Sequence, residues 1–307
     1  MNVVTLTLNP AFDVHLRVDN LKIFKENYAT EFIKQAGGKG VNISRALVGY
    51  GVCNTAFCVM GKDNSREFLN ELKKDNVNCT PIIKDGRIRE NITVHSLDGE
   101  TRISLQGLAL DEEIFSELIS AFTPYLNSDT VLTFTGRLPK GVSTLSAIEF
   151  LKRLKEKGVR LIVDCNSFSA DDLLDIKPFL IKPNEQEIEQ LIGDGFSEED
   201  LIQNIKTFCE KGIENVVVSL GSNGFFYCGK DGMYKAEVPK ITPVSTIGAG
   251  DSLVAGFVAG LVNNEQTEQI LKLAASFGTA ACLEEGTTPP KKEKIANILN
   301  QVKIIKL

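Results

Sequence analysis

Two periodicities share this chain. The stretch Val3-Val4-Thr5-Leu6-Thr7-Leu8 is apolar and β-branched, the pattern of a buried strand, and Asn9-Pro10 stops it. Runs of the same kind recur at 55–59, 79–83, 130–135, 160–164, 179–182 and 216–220. Between them, apolar positions repeat at the helical spacing over 65–75, 112–125, 144–157, 185–191 and 199–211. Regular alternation of short strands and helices predicts an α/β fold, with parallel strands and helices on both faces of the sheet. Other strands are more polar and alternate: 15–18, 28–35, 92–96 and 101–106, the last two flanking the hairpin signal Leu97-Asp98-Gly99-Glu100. A second hairpin is expected from 225–228 and 233–237 around Lys230-Asp231-Gly232, and helices at 269–283 and 292–301 close the chain. There is no internal repeat, linker or low-complexity segment. The expectation is one domain, 1–307, carrying a small β-sheet lid with strands within about 13–36 and 87–107.

Composition narrows the partners. Of 307 residues, 43% are hydrophobic and 24% charged, ordinary for a globular protein. The formal net charge of −6 argues against a broad nucleic-acid surface. Seven scattered cysteines with no C-x-x-C pair argue against a disulfide framework or a structural zinc site, so most are expected to be reduced core residues. No basic region or cleavage site precedes the first strand, and the longest apolar runs are too short to span a bilayer. A cytoplasmic protein with no membrane partner is expected. His15 and His95 are the only histidines, little material for a histidine triad or a multi-histidine metal site.

The strongest candidate chemistry is at Ser245-Thr246-Ile247-Gly248-Ala249-Gly250-Asp251-Ser252-Leu253. Leu253, Phe257 and Leu261 recur four apart, with Val254 and Val258 beside them, so a buried helix follows the small-residue turn. Backbone N–H groups at such a helix mouth point one way, at the positive end of the helix dipole, and form an anion site. Asp251 lies beside it. The combination suits phosphoryl transfer: fixed donors stabilise the migrating phosphate, and a carboxylate takes the proton of the attacking hydroxyl. The plainer alternative is a helix cap and a turn.

Further candidates sit at other element ends. Asp13 follows the first strand, where open α/β sheets gather ligands, or is a solvated turn residue. Ala36-Gly37-Gly38-Lys39-Gly40-Val41-Asn42 opens a helix, but it fits neither the dinucleotide fingerprint nor a Walker A loop. Its glycines would let a ligand approach, with Lys39 a point charge for phosphate; an ordinary turn with a solvated lysine fits equally. In Lys182-Pro183-Asn184-Glu185-Gln186-Glu187, Asn184 and Glu187 share the first turn of a helix, where they could hold a metal's water shell or simply cap it. Ser219-Leu220-Gly221-Ser222-Asn223-Gly224 ends another strand, to admit a nucleotide or to turn the chain. Arg87, Arg89 and Arg102 lie on or beside the lid hairpin, as phosphate ligands or as solvated charges.

Taken in order, Thr7-Leu8-Asn9-Pro10-Ala11-Phe12-Asp13, Gly37-Gly38-Lys39-Gly40-Val41-Asn42, Lys182-Pro183-Asn184-Glu185, Ser219-Leu220-Gly221 and Gly248-Ala249-Gly250-Asp251 resemble the ribokinase-like sugar kinases of the PfkB family, end to end. The Leu-Asn-Pro-Ala and Gly-Gly-Lys-Gly forms look most like the branch acting on phosphorylated ketohexoses, which includes 1-phosphofructokinases, tagatose-6-phosphate kinases and the minor 6-phosphofructokinase. The resemblance implies a three-layer α/β/α sandwich with a mainly parallel sheet and a β-sheet lid. It implies ATP- and Mg²⁺-dependent phosphorylation of a ketohexose monophosphate, fructose 1-phosphate or tagatose 6-phosphate, to the 1,6-bisphosphate, with fructose 6-phosphate as the alternative substrate. Asp251 would be the catalytic base and the backbone of Gly248, Ala249 and Gly250 the anion hole. Asp13, Gly37, Gly38 and Asn42 would hold the sugar, while Lys39, Arg89 and Arg102 would contact its phosphate. Lys182, Asn184, Glu187, Ser219, Gly221 and Gly224 would border the nucleotide, Glu187 supporting Mg²⁺ through water. The lid would also mediate a homodimer. Two positions depart from the family pattern: Ser245-Thr246 where many relatives carry Asp, and Arg137 where they commonly have Ser. A catalytically idle sensor on the same fold is the rival from another class, and the absent G-x-G-x-x-G speaks against a nicotinamide oxidoreductase.

Overall fold

A computed structural model describes residues 1–307. The chain begins with β1 (Asn2–Thr7), β2 (Ala11–Arg17), β3 (Glu31–Gly37) and α1 (Lys39–Tyr50). Then come β4 (Thr55–Gly61), α2 (Ser65–Lys74), β5 (Cys79–Lys84), β6 (Arg89–Ser96) and β7 (Gly99–Ser104). The middle holds α3 (Ile114–Ala121), β8 (Thr130–Thr135), α4 (Thr144–Glu156), β9 (Arg160–Asp164), α5 (Ala170–Ile176) and β10 (Leu180–Ile181). Next are α6 (Glu185–Ile192), α7 (Glu198–Glu210), β11 (Asn215–Ser219), β12 (Phe225–Gly229) and β13 (Gly232–Glu237). Finally α8 (Ala249–Val262), α9 (Thr267–Ala281), α10 (Lys292–Leu299) and β14 (Lys303–Lys306) close the chain.

Ten strands form one sheet in the order β14-β13-β12-β11-β10-β9-β8-β1-β4-β5. Pairing is parallel from β11 to β5, and antiparallel where β12, β13 and β14 extend the other edge. One face buries Ile114, Leu118, Leu151, Ile188 and Ile205, so α3, α4, α6 and α7 cover it together with α5. The opposite face buries Ile43, Leu47, Val254, Phe257, Leu271 and Ile295, from α1, α8, α9 and α10. This is the mainly parallel sheet with helices on both faces that the alternating pattern predicts, and the three-layer α/β/α sandwich that the family resemblance implies. No helix is long and apolar enough to cross a membrane. All seven cysteines are unpaired, and only Cys53 is exposed.

A second sheet, in the order β3-β2-β6-β7, stands apart from the first. Strand side chains alternate between faces. Phe12 and Val14 of β2 therefore join a small core with Met60, Phe68 and Leu72, while Asp13 and His15 point to the other side of the sheet.

Several elements differ from the sequence expectation. Asp13 is not a turn residue beyond the first strand. Asn9-Pro10 turns the chain within a few residues, and Asp13 lies inside β2, buried. The helix expected over 112–125 is shorter, because Pro124 opens a separate 3₁₀ turn, Thr123–Tyr125. The helix α5 and the strand β14 were not expected. α5 has only seven residues, too few to show a period, and β14 has only four, Lys-Ile-Ile-Lys, at a sheet edge.

Candidate active site

Helix α8 is apolar all round, and residues 251–260 of it are buried between the large sheet and α9. Its glycines let the two helices meet: a Cβ on Gly256 would lie 2.7 Å from the carbonyl oxygen of Leu273. The helix starts at Gly248, whose φ of 78° lies in the left-handed region, and no side chain caps it. By contrast α5, α6 and α7 carry reciprocal capping boxes from Ser169, Asn184 and Ser197. Of the first N–H groups of α8, only that of Ala249 has a partner, the Thr246 carbonyl at 3.4 Å, and the others are left for a ligand. The turn formed by Gly248, Ala249 and Gly250 is half-exposed, and Asp251 lies just below this open mouth, 7% exposed.

Helix α1 meets α8 there. It too begins at a glycine without a side-chain cap, Gly38, with φ 117°. Asn42 in its first turn donates from Nδ2 to Asp251 Oδ2 at 2.8 Å, and Asn42 Oδ1 is buried without a partner. Burial pushes the Asp251 carboxyl up to about 7; Asp164 adds to the rise, while Lys39, Asn42 and Lys182 oppose it.

On one side of Asp251 lies a charged cluster. Lys39 Nζ donates to Asp164 Oδ1 at 2.9 Å and lies 3.6 Å from Glu187 Oε1. Lys182 Nζ is 3.7 Å from the other oxygen of Asp164, and a Cβ on Gly250 would come within 3.2 Å of it. Burial would raise the Asp164 carboxyl, but Lys182 and Lys39 outweigh it and hold it below the usual range. Burial would lower the Lys39 ammonium, yet Asp164, Glu187 and Asp251 together raise it, so it stays charged. Asn184 caps α6 through Glu187 N–H at 2.9 Å and receives the Glu187 carboxylate on its own N–H at 3.0 Å. Ser219 reaches the same place by a bridge to Asn184. A cavity beside the cluster is lined by Asp164, Asn166, Lys182 and Glu187.

On the other side lies the lid. Asp13 Oδ1 accepts from Asn91 Nδ2 at 3.0 Å, and Arg102 Nη2 is 3.6 Å away. A Cβ on Gly37 would lie 2.1 Å from Asp13 Oδ2, so only glycine leaves that carboxylate its place. Arg89 donates to the Leu105 carbonyl at 3.3 Å, and its Nε is buried without a partner. Burial holds the Arg89 guanidinium below its usual range; Asp13 opposes this, and the nearby charges of Arg102 and Arg137 add to it. Arg89 and Arg102 thus lie near the Asp13 carboxylate, with Arg137 in turn near Arg89, a concentration of guanidinium charge suited to an anion with several oxygens. Arg87 is not among them: it is exposed, 3.7 Å from Glu90.

Most residues singled out from the sequence converge. The segment 37–42 joins them, since Gly37 underlies Asp13, Lys39 reaches Asp164 and Asn42 reaches Asp251. Lys39 is not a solvated point charge but is bound into the carboxylate cluster. Gly224 has a structural duty, because its Cβ would lie 1.9 Å from the Ala236 carbonyl oxygen; Gly221, with nothing within 4 Å of such an atom, is the open position. Asp164 and Asn91 escaped the sequence reading. An acid ending a central strand was the available signal for Asp164; Asn91 had none.

The residues present suit a hard cation. Asp164 Oδ2 is a buried carboxylate oxygen with no hydrogen-bond partner, and Glu187 stands on the same lysine. No group of three or more potential ligands converges. Such a sparse oxygen set fits Mg²⁺, which keeps several waters and shares its shell with phosphates.

Residues 9–294 match the model of the pfkB family carbohydrate kinases. The chain is 29% identical over 311 residues to tagatose-6-phosphate kinase of Staphylococcus epidermidis, spanning 99% of this chain and all of that one. Phosphofructokinase-2 of Escherichia coli, solved with substrates and products, superposes with a TM-score of 0.91 at 26% identity, over 98% of this chain and 99% of the other. The tetrameric inhibited form of the same enzyme gives 0.88 at 25% identity, over 98% of both chains. With an uncapped glycine turn set over a buried aspartate, and that family match over nearly its whole length, the chain belongs to the pfkB family of carbohydrate kinases.

Proposed function

We propose that the chain transfers the γ-phosphoryl group of ATP to a ketohexose monophosphate, tagatose 6-phosphate or fructose 1-phosphate, giving the 1,6-bisphosphate. The observation that carries this reading is the placing of Asp251 between two anion-seeking regions: the uncapped mouth of α8 beside Lys39 and Lys182, and the arginine cluster of Arg89, Arg102 and Arg137 at the Asp13 side. Asp13 and the unpartnered Asn42 Oδ1 bind sugar hydroxyls, and Arg89, Arg102 and Arg137 take the phosphate the sugar already carries. The acceptor hydroxyl gives its proton to Asp251 as its oxygen bonds to phosphorus; the bond to the bridging oxygen breaks, and ADP leaves. N–H groups of Gly248, Ala249 and Gly250 stabilise the transferring oxygens. Asp164 and Glu187 would hold Mg²⁺ through water, and the ion would neutralise phosphate charge. Ser219 and Gly221 border the nucleotide.

The curated likeness to a tagatose-6-phosphate kinase supports the phosphoketose class. Fructose 6-phosphate is the second candidate, supported by the superposition on phosphofructokinase-2 with a TM-score of 0.91. Coupled ADP release should be measured with tagatose 6-phosphate, fructose 1-phosphate, fructose 6-phosphate and unphosphorylated fructose. Turnover is expected with at least one phosphorylated ketose and far less with fructose. Equal turnover with fructose, or ADP release indifferent to every sugar, would sink the reading.

A homodimer through the lid belongs to the same proposal. The apolar face of the lid is only partly covered. Beyond Phe12 and Val14 it leaves Phe32 65% exposed, Ile103 51% and Leu105 46%. A second copy of the same sheet supplies a matching apolar face.

A further inference from the structure

The chain's two histidines, 80 positions apart, meet in the lid. Their rings stack with centroids 5.2 Å apart, and His15 Nδ1 lies 2.9 Å from His95 Nε2. Glu100 Oε1 is 3.0 Å from His95 Nδ1. A carboxylate only accepts, so His95 Nδ1 carries a proton and donates it. In the neutral ring His95 Nε2 is then an acceptor, and His15 Nδ1 donates to it. His15 Nε2 is left as a bare lone pair, buried without a partner. It faces the body of the protein: a Cβ on Gly286 would lie 2.8 Å from it, and His15 shares a cavity wall with Ser245, Glu285, Gly286 and Thr288. The next residue, Thr287, backs the anion-hole turn, its Cα lying 3.8 Å from where a Cβ of Gly248 would be. Arg45 of α1 donates to the Thr287 carbonyl at 3.3 Å. Lid, loop 284–288 and the mouth of α8 are therefore in physical sequence.

We propose that His15 is a positioning residue: it seats the lid strand that bears Asp13 against loop 284–288, behind the anion-hole turn, and the seat holds only while His15 is neutral. The inference rests on the kinase reading above. A proton on His15 Nε2 would bury a charged donor against Gly286 with no acceptor, so the ring must leave the loop. A further proton on His95 would remove the acceptor of the imidazole pair. Charges around the pair act in both directions. Asp13 and Glu100 favour protonation of His15, while His95 and Arg102 oppose it. Arg17 is paired with Glu31 at 2.9 Å, and Glu285 lines the same cavity from the body. Burial is the largest influence and holds His15 below the ordinary histidine value. The seat is therefore complete above about pH 6.5, the unperturbed value, and is given up as pH falls below it.

The test compares wild type with His15→Phe, which keeps a ring but cannot titrate, and with His95→Gln and His95→Leu. KM for the sugar phosphate and kcat are measured from pH 5.5 to 8. Between these limits the wild-type KM should rise about fivefold more than that of His15→Phe, the scale of one buried hydrogen bond, while kcat follows the same profile in both. At pH 7.5 His95→Gln, which keeps an acceptor, should match wild type, and His95→Leu should raise KM. Identical KM profiles for wild type and His15→Phe would overturn the proposal, as would failure of glutamine to rescue. Two histidines give two imidazole Cε1–H signals, so an NMR titration reads the pair without turnover. Loss of hydrogen-exchange protection along 11–17 should accompany the His15 titration. Protection unchanged through that titration would also overturn the proposal, whether or not any sugar phosphate proves to be a substrate.

Discussion

As the proposed base, Asp251 would show how burial tunes a side chain. A carboxylate with a pKa near 4 is a feeble base, whereas burial brings this one to about 7. Because the ionised form accepts the proton, kcat/KM should rise with pH through about 7 and level off above it, which a pH–rate profile at low sugar concentration would read. Asp251→Asn keeps the contact with Asn42 but cannot take a proton, and turnover should fall by ~100-fold or more. The same shift bears on stability. A carboxyl whose folded value is raised contributes least once pH exceeds that value, so Asp251→Asn should gain stability over wild type as pH rises from 5 to 8. A melting temperature higher by about 2 °C at pH 8, with no gain at pH 5, is the expected result in thermal denaturation. Gly37 is the second informative residue. Alanine there would drive a methyl group into Asp13 Oδ2, 2.1 Å away, so Gly37→Ala should raise KM for the sugar by an order of magnitude or so while KM for ATP stays within about twofold.

Among the elements, two helix starts make a useful contrast. Where Ser197 caps α7 with Asp200, the N–H groups are satisfied within the protein. Ser197→Ala should cost about 1 kcal/mol in denaturant unfolding and leave kinetics untouched. The uncapped start of α8 is the opposite case, and its glycine turn was readable in the sequence because small residues stand directly before an acid and an apolar helical stripe. Strands and helices of the large sheet were readable for the same kind of reason: each buries a continuous run or a clear helical stripe. α5 was not, since seven residues show no period and a cap alone does not announce a helix. Asp13 was misplaced by one element because Asn9-Pro10 marks a break without saying how soon the next strand begins.

At the scale of the whole molecule, the proposed homodimer would cover the apolar lid face on which Phe32 and Ile103 are exposed. Phe32→Asp should shift the protein toward monomer in sedimentation velocity at micromolar concentration, with the folded core intact by circular dichroism; an unchanged sedimentation coefficient would count against lid pairing. By itself the sequence determined the α/β layering, the glycine turns and the presence of an acid just behind the last of them, because periodicity and turn chemistry are local properties of a chain. Only the tertiary structure decided which charges share a site. Asp164 comes between Lys39 and Lys182, Arg102 and Arg89 approach Asp13, and His15 finds His95, partnerships between residues far apart along the chain. Such partnerships depend on strand order and on the angle at which the lid crosses the body, and no local pattern encodes either.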